Sequence, residues 1–354
     1  MTRINCKITR NWESGIGNRE SGSMFPIIAR CSFSGFTNNN STPCSLLPTP
    51  CLFLFTIFFL VILTTSCTRQ SSQHDGIIIA VSIPPQAWFA SKIAGDKAEM
   101  LILVPPGQNP HNYEPAPRQI QSLSKAGAWI LSGTEFEITL RPKIKKLFPN
   151  LLIVDGTEGV KFRLLEEHDH DDYDHHDDDH NDLSAPDSRL PALNIDRHTW
   201  LGREPAKILA AHIKDTLSNI DSKNEAYYRE RYEKLVCEID EVFDELLISL
   251  APLKSKSVFV YHPSFGYFLD DFFIIQEAVE TGGKEPTPRQ LNSLMEKINK
   301  ERPAAIFVQT QFPVNAARTL ADSAGVQVIE LDPLALNWLD NIRRMGQILQ
   351  NIIQ

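Results

Sequence analysis

The chain has 354 residues, a formal net charge of −9 and 42% hydrophobic residues, enough apolar material to bury a sizeable core. The acidity is local, because Glu166 to Asp182 holds ten of the 44 acidic residues and no Lys or Arg, leaving the remainder close to neutral. No cluster of basic residues offers a footprint for a phosphate backbone, which excludes nucleic acid as a partner class.

The N-terminal stretch is rich in Ser, Asn, Gly and Thr and is set apart from the fold. Leu52 to Leu63 is an apolar run too short to span a bilayer comfortably but suited to a signal-peptide core. It leads into Thr64, Thr65, Ser66 and Cys67, which resembles a lipoprotein processing site. The expectation is a signal region over residues 1–67 with Cys67 as the lipidated N-terminus of an exported protein. Thr64 stands where an aliphatic residue is usual, so simple cleavage and an uncleaved anchor are the alternatives. About fifty residues before the apolar core is long for a signal peptide, and the start is expected to lie further downstream. Of six cysteines only Cys237 follows Cys67, so no internal disulfide is expected and Cys237 is read as a plain helix residue.

From Gly76 onward, short apolar runs alternate with helical stretches. Ile77 to Ser82, Met100 to Val104, Trp129 to Leu131 and Leu151 to Val154 read as strands, with helices near Ala87 to Ala94, Arg118 to Ala126 and Phe136 to Leu147. Continuous apolar strands separated by helices argue a buried parallel sheet. The pattern returns with Val258 to Tyr261, Phe273 to Val279, Ala305 to Val308 and Val326 to Leu331, and helices near Pro288 to Lys300 and Asn315 to Ala324. Between them, Asn224 to Leu250 lacks Gly and Pro and repeats apolar residues at three- and four-residue spacing, the signature of one long amphipathic helix. The predicted fold is therefore α/β: two lobes, each a mostly parallel sheet flanked by helices, joined by a linking helix. The boundaries are 76–223, 224–250 and 251–354.

Five histidines lie outside the acidic tract, and three of them occupy positions where a ligand is useful. His111, in PPGQNPHNYEP, and His262, in VYHPSFGYF, each follow a strand, at the carboxyl edge where open α/β sheets bind ligands. His198, in DRHTWL, precedes a helix beginning near Glu204 and can close over the same point, with Trp200 excluding water. Asp332, in VIELDPL, also ends a strand and offers an oxygen. Three imidazoles and one carboxylate suit tetrahedral Zn²⁺ in an interlobe cleft. Taken singly, each is equally readable as a polar loop residue, since spacing alone cannot gather residues so far apart. Glu135 and Glu137 stand near the same cleft, either as acceptors orienting an imidazole or as plain helix-start carboxylates.

The four runs, in this order, resemble the metal-binding solute-binding proteins of ABC importers, specifically the zinc-binding group. That resemblance implies that His111, His198 and His262 ligate Zn²⁺ with Asp332 as fourth ligand, in an extracytoplasmic, lipid-anchored monomer that delivers zinc to an ABC permease. Departures from the family pattern are Arg197 before the ligand histidine, Gly202 and Arg203 after the Trp, and Gln309 where relatives carry Glu. An inward-facing Arg197 would oppose a cation.

The acidic tract, with His168, His170, His175, His176 and His180, cannot bury a core and reads as an auxiliary metal-binding loop within residues 166–182. A plain solvated loop is the other reading. The competing functions are a zinc hydrolase or lyase, for which no HExxH, GxSxG or phosphate loop is present, and a manganese-type binding protein or adhesin of the same fold. Because ligation needs neutral imidazoles, affinity is expected to fall as pH drops through about 6.5.

Overall fold

The computed structural model describes residues 76–165, 195–280, 288–312 and 314–352. The signal region with Cys67 and the acidic tract with its five histidines lie outside the described residues. Among the described residues no helix is long and apolar enough to cross a membrane.

The first sheet contains β1 (Ile77–Val81), β2 (Ala98–Ile102), β3 (Ala128–Leu131) and β4 (Leu152–Asp155), in the order β2-β1-β3-β4. All its pairings are parallel, with Ile79 opposite both Met100 and Ala128. The second sheet repeats the arrangement with β5 (Ser257–Val260), β6 (Ile275–Ala278), β7 (Ala305–Gln309) and β8 (Gln327–Leu331), in the order β6-β5-β7-β8 and again wholly parallel. Strands buried on both faces need apolar residues throughout, and Ala128 to Leu131 and Ala305 to Gln309 are buried along their whole length. In each sheet the first strand of the lobe has neighbours on both sides, so the chain leaves in opposite directions from adjacent strand ends. That opens a crevice at the carboxyl edge.

The helices are α1 (Pro84–Ala94), α2 (Pro117–Ser122), α3 (Glu135–Leu147), α4 (Arg203–Ile220), α5 (Glu225–Ser249), α6 (Gly266–Asp270), α7 (Pro288–Glu301), α8 (Val314–Ala324) and α9 (Trp338–Asn351). The two lobes and the linking helix of the α/β reading are thus present, with α5 as the link. Helix α2 is shorter than its apolar pattern suggests, because the chain tightens into a 3₁₀ turn over Leu123–Lys125. Helix α9 was not anticipated from sequence.

The core is not divided between the lobes. One apolar cluster runs from Ile79 and Phe89 of the first lobe through Val242 and Phe243 of α5 to Val260, Ile342 and Met345 of the second. At its centre Trp338, the first residue of α9, sits 4.7 Å from the Phe89 ring and 6.3 Å from the Phe243 ring. A Cβ at Gly346 would lie 2.2 Å from Leu246 Cδ2, so the approach of α9 to α5 depends on glycine there. A smaller cluster, including Phe259, Ile298 and Leu320, fills the other face of the second sheet.

Cys237 lies on α5 and is disulfide-bonded. This corrects the expectation that Cys237 forms no disulfide.

Candidate metal centre

Two loops at carboxyl edges and the segment before α4 bring His111, His262 and His198 together. His111 sits in a 3₁₀ turn, Pro110–Asn112, after β2; the turn is fixed by Asn109, whose Oδ1 accepts from His111 N at 2.9 Å. His262 follows β5 directly, and Gln309 at the end of β7 holds its backbone from both sides. Gln309 Oε1 accepts from His262 N at 3.2 Å, while Gln309 Nε2 donates to the His262 carbonyl at 2.5 Å and to Ser264 Oγ at 2.8 Å. An amide can accept and donate in this way, which a carboxylate cannot. His198 enters from the segment joining the acidic tract to α4.

The ring centroids of His111 and His262 are 4.7 Å apart, those of His198 and His262 5.2 Å, and those of His111 and His198 5.3 Å. One ring nitrogen from each of the three lies within 4.8 Å of the others. The cavity they share is about 10 Å³, about the space of one water-sized sphere. Trp200 stands beside His198 at 5.4 Å, and Phe312 stacks on His262 at 4.5 Å and 23°. These rings give the cavity an apolar wall, and His198 and His262 are buried.

Each imidazole is oriented by its own carboxylate. His111 Nδ1 pairs with Glu135 Oε2 at 2.9 Å, His198 Nδ1 with Asp196 Oδ1 at 2.8 Å and His262 Nδ1 with Glu280 Oε2 at 2.5 Å. A proton held on Nδ1 by a carboxylate leaves the Nε2 lone pair for a cation and raises its basicity. His262 Nε2 is buried and has no partner among the described residues. Burial pushes the His262 imidazole down to about 4, against the opposing pull of Glu280, so this ring stays a neutral ligand well below its ordinary value of 6.5. The expected loss of affinity through about pH 6.5 is therefore not set by His262. Burial acts to raise the Glu135 carboxyl, but the hydrogen bond and charge of His111 outweigh it and hold the group at about 2.

Glu137 plays a different part from Glu135. It is buried, which pushes its carboxyl up, and it accepts from Ser132 N at 2.7 Å, Ser132 Oγ at 2.8 Å and Gly133 N at 2.8 Å. It fixes the loop that launches Glu135, with Gly133 at a φ of 85° where a side chain would be strained. Arg197 does not face the cavity. Its Nη1 donates to the Gly133 carbonyl at 2.9 Å and its Nε lies 3.7 Å from Glu135 Oε1, so it braces the same loop. Gly202 and Arg203 likewise serve packing: Arg203 bonds Asp240 at 2.8 Å, Asp244 at 2.7 Å and, through its backbone N–H, Asp271 at 2.7 Å.

Asp332 stands apart from the three-histidine group. Its Oδ1 accepts from Gln311 Nε2 at 2.7 Å and from Leu334 N at 2.9 Å, and it does not line the cavity, whereas Gln311 does. His212 is also elsewhere, its Nε2 paired with the Glu158 carbonyl at 2.9 Å. Sequence reasoning missed Asp196 and Glu280. Asp196 carried a signal, since a carboxylate two residues before a candidate ligand can reach its ring. Glu280 lies two residues past β6, the strand beside β5, a neighbour relation that appears only once the strand order is known.

The profile of the family described as ZnuA, zinc-uptake complex component A periplasmic, matches residues 79–352. The chain belongs to the ZnuA family. Its relatives include the zinc-binding lipoprotein AdcA of Streptococcus pneumoniae, 26% identical over 76% of this chain and 52% of AdcA. The chain thus spans about half the length of that relative. The manganese ABC transporter substrate-binding lipoprotein PsaA of the same species is 24% identical over 84% of this chain and 90% of PsaA. A crystal structure of ZnuA superposes with a TM-score of 0.70 at 30% identity, covering 79% of this chain and all of ZnuA. The two-lobe α/β architecture of the family is the one found here.

Proposed function

We propose that this protein is the extracytoplasmic component of an ABC importer, capturing one Zn²⁺ on His111, His198 and His262 and handing it to a membrane permease. The observation that carries this reading is the set of three carboxylate-oriented imidazoles converging on a cavity of about 10 Å³. Three nitrogen donors favour zinc over manganese, which as a harder cation prefers carboxylate oxygens. The relatives include both zinc- and manganese-binding proteins, so the donor set is the argument for zinc.

The small cavity also favours capture of a bare ion over a zinc hydrolase or lyase, which must seat a substrate beside its metal. Family membership and the lipoprotein names of relatives support export and a lipid anchor at Cys67. The His-rich tract is proposed to gather zinc near the cleft, and its ends are anchored close by. Leu164 and Ile195 form an antiparallel bridge, and Tyr267 Oη joins the two ends, accepting from Arg163 N at 2.9 Å and donating to the Asp196 carbonyl at 3.1 Å. Elemental analysis with zinc titration of the protein and its single His-to-Ala variants tests the site, and restored growth of zinc-starved cells tests the importer role. A protein that retains manganese in preference to zinc would overturn the metal assignment.

A further inference from the structure

Three imidazoles leave a tetrahedral cation one donor short, and Asp332 is not in the group whose ligand atoms lie within 4.8 Å of one another. The residue that does face the cavity is Gln311, which lines it together with the three histidines. Gln311 Nε2 donates to Asp332 Oδ1 at 2.7 Å. A carboxylate accepts only from the amide nitrogen, so this bond fixes which end of the amide is which and turns the oxygen away from Asp332. Among the described residues Gln311 Oε1 is buried without a hydrogen-bond partner. A buried amide oxygen in that condition forgoes a hydrogen bond worth making, unless a cation completes it.

We propose that Gln311 Oε1 is the fourth donor to the captured ion, and that Asp332 is the positioning residue that presents it. The relation repeats the logic of the imidazoles, in which a carboxylate behind each ligand group sets its orientation. A neutral amide in the fourth position adds no charge to the donor set. The set His₃ plus amide oxygen then suits zinc better than manganese, for which an anionic oxygen would be the stronger partner. Asp332 then acts at one remove from the metal.

This inference rests on zinc capture by the three histidines, and the test separates the two. In a crystal structure of the zinc-loaded full chain, Gln311 Oε1 is expected at about 2.0–2.2 Å from the metal. By chelator competition, Gln311→Ala and Asp332→Leu are each expected to weaken the tight site by roughly tenfold or more. Zinc held by the three histidines with a water in the fourth position, and unchanged affinity in Gln311→Ala, would overturn the role of Gln311 alone. No zinc on the histidines at all would overturn the underlying function as well. The crystallographic measurement needs no variant and stands if either substitution disturbs folding.

Discussion

His262 and Glu280 meet through a 2.5 Å contact between Nδ1 and Oε2, and both side chains are buried two residues past the ends of adjacent parallel strands. The carboxylate sets the tautomer of a ring whose other nitrogen has no partner among the described residues. Glu280→Gln keeps the size of the side chain but removes the charge that makes His262 a stronger donor. Zinc affinity is expected to fall by about 10- to 100-fold, read by chelator competition. An unchanged affinity would mean that Glu280 only packs.

The same burial makes the metal-free protein sensitive to acid. The unfolded chain protonates His262 near 6.5, while the folded one holds it neutral down to about 4. Between those values the unfolded state binds the extra proton, so stability is full above the window and falls as pH drops through it, by about 3 kcal/mol in total. Glu135, held at about 2, adds a loss in the same direction at lower pH, between 4.5 and about 2. Urea midpoints of the metal-free protein at several pH values between 7 and 4 measure this. A flat profile would show that His262 is not desolvated.

Deleting Glu167 to Asp182 should remove the weak zinc sites and leave one tight site, because all three ligands and their carboxylates lie outside the tract. In the deleted protein, His111→Ala, His198→Ala or His262→Ala should each abolish tight binding. Isothermal titration distinguishes the classes of site, and loss of all binding on deletion alone would show that the cleft does not act independently.

Trp338 fills the junction of α1, α5 and α9. Trp338→Ala should destabilise the protein by about 3–5 kcal/mol, lowering the denaturant midpoint without loss of zinc stoichiometry at low denaturant. A cost near that of a surface substitution would mean that the two lobes do not depend on each other.

Much of this was legible in the sequence, and for identifiable reasons. Apolar runs such as Ile77 to Val81 and the periodicity of Glu225 to Ser249 declare strand and helix through burial alone. The three histidines were found because each follows or precedes a regular element at a sheet edge. What stayed hidden depends on side-chain direction and strand order. Asp332 reads as a ligand from its position, yet its Oδ1 accepts from Gln311 and the Leu334 amide and it does not line the cavity. Arg197 reads as a threat to a cation, yet its reach carries it to Gly133 and Glu135. Helix α9 begins two residues after the exposed Leu336 and carries Arg343 and Arg344 among its apolar positions, so its pattern is easily passed over, although it completes the core.

The Trp200 indole donates to the Pro333 carbonyl at 2.8 Å, and the Trp338 indole donates in turn to the Trp200 carbonyl at 2.8 Å. These bonds and the undivided core stitch the two lobes together beside the cavity, which Trp200 and Pro333 help to line. A swing of one lobe off the other would break both bonds and open the shared apolar core. An ion captured in the cavity is therefore expected to leave through local give in the loops bearing His111 and His198, and its escape rate would report the softness of those loops rather than the bending of a hinge.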